Sequence, residues 1–250
     1  MTRSFRGGLL LAASTLALVT HGSAARADAA GDKVLAAMDA ALNKAKTQYF
    51  EYDVINQEPG KGDRKLGLQV RLKADKRFTE FTAPADMKGT KILIMSPTQM
   101  YVYLPAFGKV RRIASSVSDQ GFMGMTFSQD DLASQAYGTS YEAKIASETP
   151  SEYKIVMTPK AGQTPPYAKL EVTIGREKML PTEIQYFNGE GKNVKTETRT
   201  GYTCEGNVCT PAELKMVDNI KKASTKMIRT KWKVNEEMSD DLFSKRVLGE

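Results

Sequence analysis

Side chains equipped for catalysis are scarce in this chain. Its one histidine, His21, falls in an N-terminal stretch that reads as a processing signal, so the rest has no imidazole. That excludes histidine-based triads, imidazole metal ligands and the commonest general base. The two cysteines stand in Thr-Cys-Glu-Gly-Asn-Val-Cys, as Cys204 and Cys209. A redox pair calls for Cys-x-x-Cys. The wider spacing here, across Gly206-Asn207, predicts a disulfide staple formed in an oxidising compartment, closing a small loop for a modest gain. Asp130 and Asp131 are adjacent acids, but with Ser128 before them they read as a capped helix start. No Ser-Lys or paired-carboxylate constellation, glycine-rich phosphate loop or nucleic-acid motif stands out. The chain is read as a non-enzyme, without cofactor or metal.

What remains is the chemistry of soft apolar contact, concentrated in residues 99–132. An aromatic strand, Tyr101-Val102-Tyr103, stops at Pro105 and turns at Phe107-Gly108. It returns through the basic run Lys109-Val110-Arg111-Arg112-Ile113. After a Ser-rich link comes Gly121-Phe122-Met123-Gly124-Met125-Thr126-Phe127. Two glycines bracketing Phe and Met suit neither strand nor helix; they suit a movable flap with an apolar face. The candidate residues for contact with an apolar ligand are therefore Tyr101, Tyr103, Phe122, Met123, Met125, Phe127 and Leu132, with hinges at Gly121 and Gly124. The plainer alternative is a loop tucked over the core, with the tyrosines in cross-strand packing. Arg111 and Arg112 fit either a solvated strand face or a contact with a headgroup or partner.

These residues need a scaffold. Residues 1–27 have the signal pattern: Arg3 and Arg6, an apolar run from Gly7 to Val19, and Ala25-Arg26-Ala27 at the cleavage site. No cysteine lies near that site to carry a lipid anchor. Losing Arg3, Arg6 and Arg26 with no acids lowers the formal net charge from +7 to +4. The lysines are spread out, as on a solvated surface, although attraction to anionic headgroups or an acidic partner is the alternative. Residues 28–250 read as one domain in the periplasm, a monomer, with no nucleic-acid partner.

An amphipathic helix is predicted over residues 28–46, where Val34, Leu35, Met38, Ala41 and Leu42 share a face. A dozen or so short strands follow with period-two alternation and turn signals between them, Asn188-Gly189 among these. There is no βαβ rhythm. One antiparallel sheet of that size must curl or close, and its inner face must be filled.

Tyr-x-Tyr-x-Pro, Val-Arg-Arg-Ile and Phe-Met-Gly…Phe-Ser-x-Asp-Asp-Leu resemble the LolA-like periplasmic proteins that sort outer-membrane lipoproteins. So do Asp241-Leu242-Phe243-Ser244 and Arg246-Val247-Leu248 near the end. Met125-Thr126 stands where that group would have Thr-Asp, and Met100 where it would have Trp, which fits a divergent relative. The resemblance implies a mainly β fold: a half-open antiparallel β-barrel with an N-terminal helix and a helical or loop lid. It implies a carrier that holds lipoprotein acyl chains or free lipid and passes them toward the outer membrane. An inner-membrane transporter and an outer-membrane acceptor would then be its partners. The alternative is a periplasmic lipid-sensing adaptor or accessory subunit for an envelope transporter or stress regulator.

Overall fold

The computed structural model describes residues 1, 29–96, 98–113, 124–128, 130, 131 and 136–249. Apart from Met1 the proposed signal lies outside the described residues, as do Gly121, Phe122, Met123 and Leu132 of the proposed flap. Helix α1 spans Ala29–Leu42 and buries Val34, Leu35, Met38 and Ala41. It is shorter than the apolar repeat predicts. The Asn43 side chain donates to the Asp39 carbonyl, the acceptor its own backbone N–H uses, and such competition ends helices. Asp32 is not a cap. It lies inside α1, and its carboxylate accepts the Ala143 N–H at 2.8 Å.

Six strands follow in a meander: β1 (Thr47–Gln57), β2 (Arg64–Lys73), β3 (Lys76–Ala83), β4 (Lys91–Ser96), β5 (Gln99–Leu104) and β6 (Lys109–Ile113). A second series begins after residue 140 with β7 (Tyr141–Glu148), β8 (Glu152–Pro159), β9 (Lys169–Gly175), β10 (Leu180–Phe187) and β11 (Asn193–Thr200). The short hairpin β12 (Thr203–Glu205) and β13 (Val208–Thr210) comes next, then β14 (Glu213–Asp218) and β15 (Ser224–Val234). Thirteen strands form one antiparallel sheet in the order β6-β5-β4-β3-β2-β1-β15-β14-β11-β10-β9-β8-β7. The two series join where β1 pairs with β15, and β6 and β7 are the two unpaired edges. This is the expected half-open antiparallel architecture, curled around a core but not closed.

The connection from β6 to β7 joins opposite edges of the sheet. Its described parts lie on the inner face, where Met125, Phe127 and Tyr137 enter the main core beside residues of both strand series. Helix α1 lies over the same face at the β7 edge, so closely that a Cβ on Gly31 would sit 2.3 Å from the Ala143 carbonyl oxygen.

Strand alternation sorts the other face. Ile92, Ile94 and Phe81 belong to the inner core, while Leu93 and Phe78 form a separate outer cluster with Phe243 and Leu248. Tyr101, Tyr103 and Val110 pack against that outer cluster. The aromatic strand and the closing segment, the two stretches that carry the family resemblance, therefore meet in one small core. The Cys204–Cys209 disulfide forms as expected, between opposed residues of the β12–β13 hairpin. At the Asn188-Gly189 hairpin the Asn188 side chain organises the turn by accepting from the Glu190 and Lys192 amides. The positive φ needed there falls on Gly191, at 75°.

Candidate functional site

A cavity of about 390 Å³ remains between the inner sheet face, the end of α1 and the β6–β7 connection. That lies within the ~300–1,000 Å³ of small-molecule sites. Phe50 and Tyr52 of β1, Val70 and Leu72 of β2, Leu214 of β14 and Met227 of β15 supply apolar wall. Phe127 and Tyr137 close it from the connection. Exposed lining residues, among them Asn43, Lys46, Ala74 and Asp75, mark its mouth.

Of the predicted contact residues, Phe127 lines this cavity. Met125 is buried in the adjoining core and does not reach it. Gly124 is exposed with φ +81°, and an added Cβ would meet only the ends of Arg64 and Glu58. Tyr101 and Tyr103 are not brought to the cavity. Their strand positions direct them to the outer face, where the closing segment covers them and the Lys245 ammonium lies 5.0 Å from the Tyr101 ring centroid. Arg111 and Arg112 are exposed on edge strand β6, away from the cavity. Arg111 stacks over Phe107, and Arg112 donates to the Thr98 carbonyl at 2.8 Å.

The inner face is less oily than the sequence suggests, because β11 turns Lys195, Glu197 and Arg199 inward. The Glu197 carboxylate accepts from the Tyr186 hydroxyl at 2.6 Å and from Arg199 Nε at 2.7 Å, and its side chain is 4% exposed. Burial opposes the Arg199 charge, yet neighbouring Glu197 outweighs it and holds the group protonated well above its ordinary pKa. Burial and Glu197 together push the Tyr186 phenol well above its usual range. Asp131 forms a second centre. Its carboxylate accepts from Lys195 Nζ, the Tyr167 hydroxyl and the Ser128 amide, each at 2.7 Å, while Ser128 Oγ accepts the Asp131 N–H at 3.1 Å. The Ser cap is thus present, but Asp131 also fastens the connection to the sheet. Thr126 adds a further anchor, donating its amide to Thr225 Oγ1 at 2.8 Å and its hydroxyl to the Met216 carbonyl at 3.1 Å.

Arg77 completes the polar lining. It alternates with outward-facing Phe78 and borders the cavity, and burial pulls its pKa down. Burial likewise raises the Tyr52, Tyr137 and Tyr202 phenols to about 12. Across β1, Phe50, Tyr52 and Val54 oppose Trp232, Arg229 and Met227, because a bulge skips Thr230 and keeps these three on one face. Trp232 stacks on Phe50 and donates to Gln48 Oε1 at 3.2 Å. The arrangement can hold an elongated apolar group and present guanidinium and phenol groups to its polar end.

A family model described as "Uncharacterized protein" matches residues 73–250, well over half of the chain, and the chain belongs to that family. The family's fold here is LolA-like. A DUF1329 family protein from Desulfovibrio piger superposes with a TM-score of 0.81 at 22% identity, over 88% of this chain and 98% of that one. A domain named for outer membrane lipoprotein sorting, from Vibrio parahaemolyticus, gives 0.79 at 20% identity, over 88% and 99%. A LolA superfamily protein from Nitrosomonas europaea gives 0.71 at 16% identity, over 87% and 99%. No curated protein matches the chain in sequence. Among the described residues, no helix is long and apolar enough to cross a membrane.

Proposed function

We propose that residues 28–250 form a single-domain periplasmic carrier that holds an acyl chain in the inner cavity and moves it toward the outer membrane. The observation that carries this reading is the cavity itself: about 390 Å³, walled by Phe50, Val70, Leu72, Phe127, Leu214 and Met227, with its mouth beside the end of α1. Such a wall suits a hydrocarbon tail, since each buried methylene contributes about 0.8 kcal/mol without directional contacts. The signal pattern of residues 1–27 and the disulfide fit an oxidising, extracytoplasmic compartment. The lipoprotein-sorting name attached to the Vibrio neighbour fits the same role. Arg111 and Arg112, exposed on edge strand β6, offer a basic surface to a membrane transporter or acceptor.

The test is saturable binding of a fluorescent fatty-acyl probe to delipidated protein, with displacement by unlabelled lipid. A bulky substitution in the wall, Leu214→Trp, should weaken binding about tenfold or more while thermal unfolding stays cooperative. An absence of saturable binding by the wild type would reject the carrier reading.

A further inference from the structure

We propose that the cavity takes an amphiphile whose head bears an oxyanion, a carboxylate or a phosphate, and that Arg77 holds that head. The inference names the cargo class and rests on the carrier reading. Register places Arg77 opposite Leu72, and Leu72 opposite Gln48. Arg77 also lies two residues from Asp75, in the exposed turn at the cavity mouth. The cation therefore sits near the entrance, and the apolar wall formed by Tyr52, Phe127 and Met227 extends beyond it.

Its pairing sets it apart from the other inward-facing cations. Lys195 is neutralised by Asp131, and Arg199 by Glu197. Arg77 donates from Nε to Thr79 Oγ1 at 3.2 Å and makes no ion pair among the described residues. Arg229, opposite Tyr52 on β15, lies outside the cavity lining and feels the Glu205 charge. One of its terminal nitrogens reaches Thr203 Oγ1 at 2.5 Å, and Nη1 is buried without a partner. Both guanidiniums act on the Tyr52 phenol, which itself lines the cavity. The cavity thus combines one guanidinium that has no ion pair among the described residues with a phenol and an oily interior.

A half-buried guanidinium without a counter-ion is partly desolvated at a cost, and a ligand oxyanion offsets that cost while meeting the planar donor fork. A neutral ester or alcohol head would leave the donors unpaired. The site therefore selects by head charge as well as by tail.

The experiment uses delipidated full-length protein and three ligands of twelve carbons, laurate, dodecyl phosphate and dodecanol, measured by calorimetry. At least one anion should bind about tenfold or more tightly than dodecanol. The tighter of the two anions identifies the carboxylate or the phosphate as the natural head. Arg77→Gln should abolish the preference by lowering anion affinity about tenfold more than dodecanol affinity. Arg77→Lys keeps the charge without the fork. It should lose part of the preference, and it provides the test if the glutamine variant does not fold. Equal affinity of the wild type for all three ligands would overturn the assignment while leaving the carrier reading intact. An equal loss of laurate and dodecanol in Arg77→Gln would also overturn it, by showing a structural role. Failure of all three ligands to bind would overturn the carrier reading and this inference together.

Discussion

The Asp131–Lys195 pair is the sharpest place to test how the β6–β7 connection is held. The two side chains are 1% and 12% exposed and meet at 2.7 Å. Removing one member of a buried pair leaves a desolvated charge and costs about 3–5 kcal/mol. Asp131→Asn falls at the lower end, because an amide oxygen still accepts from the Tyr167 hydroxyl or the Ser128 amide. Lys195→Met falls at the upper end, because the carboxylate keeps those two donors but loses its cation. For a chain of this size about 2–4 °C in Tm accompanies each kcal/mol, so the drop should be roughly 6–20 °C. Urea unfolding followed by circular dichroism measures the cost directly. The double variant should cost clearly less than the sum of the singles. Loss of the pair should also release the Thr126 amide, now bound to Thr225 Oγ1, to faster hydrogen exchange than the Ile155 amide in β8. Single-variant costs below about 1 kcal/mol, or additivity within about 0.5 kcal/mol, would refute the coupling argued here.

Four further outcomes follow from packing and burial. Gly31→Ala should destabilise by about 1–3 kcal/mol in urea unfolding, because its Cβ would meet the Ala143 backbone and a strand carbonyl cannot move aside as a flexible side chain can. Replacing Cys204 and Cys209 together by serine should cost about 2 kcal/mol or less by the same measurement, since the closed loop has a sequence separation of only 5. Burial raises the folded pKa of Tyr52, Tyr137, Tyr141 and Tyr202 to about 12, above their ordinary value of 10.0. Their contribution to stability is therefore fully present below pH 10 and is lost as pH rises toward 12. Denaturant added at about pH 11 should produce a step in phenolate absorbance at 295 nm. Tyr101→Ala and Tyr103→Ala should leave acyl-probe affinity within about twofold while lowering Tm, because both side chains pack against the closing segment.

The strands were legible because their alternation is strong: Leu66, Leu68 and Val70 face the core with polar neighbours between them, and the turns carry Gly, Pro, Asn and Asp. The disulfide was legible from spacing and compartment. The facing of Tyr101 and Tyr103 was not, because an aromatic strand alternates equally well toward either side. What decides it is the closing segment, more than a hundred residues away, which covers the outer face of β3–β5. The polar interior was harder still. Lys195, Glu197 and Arg199 alternate with Thr196 and Thr198, so neither face of β11 looks apolar. A strand with no oily face, set in a sheet that must bury one, was the available signal for an inward charged band. Arg77 gave a weaker one: it shares a strand face with Phe81, which is fully buried.

Strand order also limits how the cavity can be filled and emptied. β6 and β7 lie at opposite edges, the described residues of the chain between them lie on the inner face, and Phe127 is part of the cavity wall. Phe127 lies between two anchors, Thr126 on β14 and β15 and Asp131 on β11. It can therefore leave the wall only if the polar contacts beside it break. Gly124 lies outside both anchors, exposed and with positive φ, so rotation there cannot shift Phe127 by itself. On the proposed carrier reading, opening would be a cooperative step in which bonds at Thr126 and Asp131 are lost together, and a bound tail would have to offset them by the apolar area it covers. A cargo that fits beside Phe127 would enter without that cost, whereas one that needs its place would not. In such a carrier the anchors would link the length of the accepted tail to the stability of the connection.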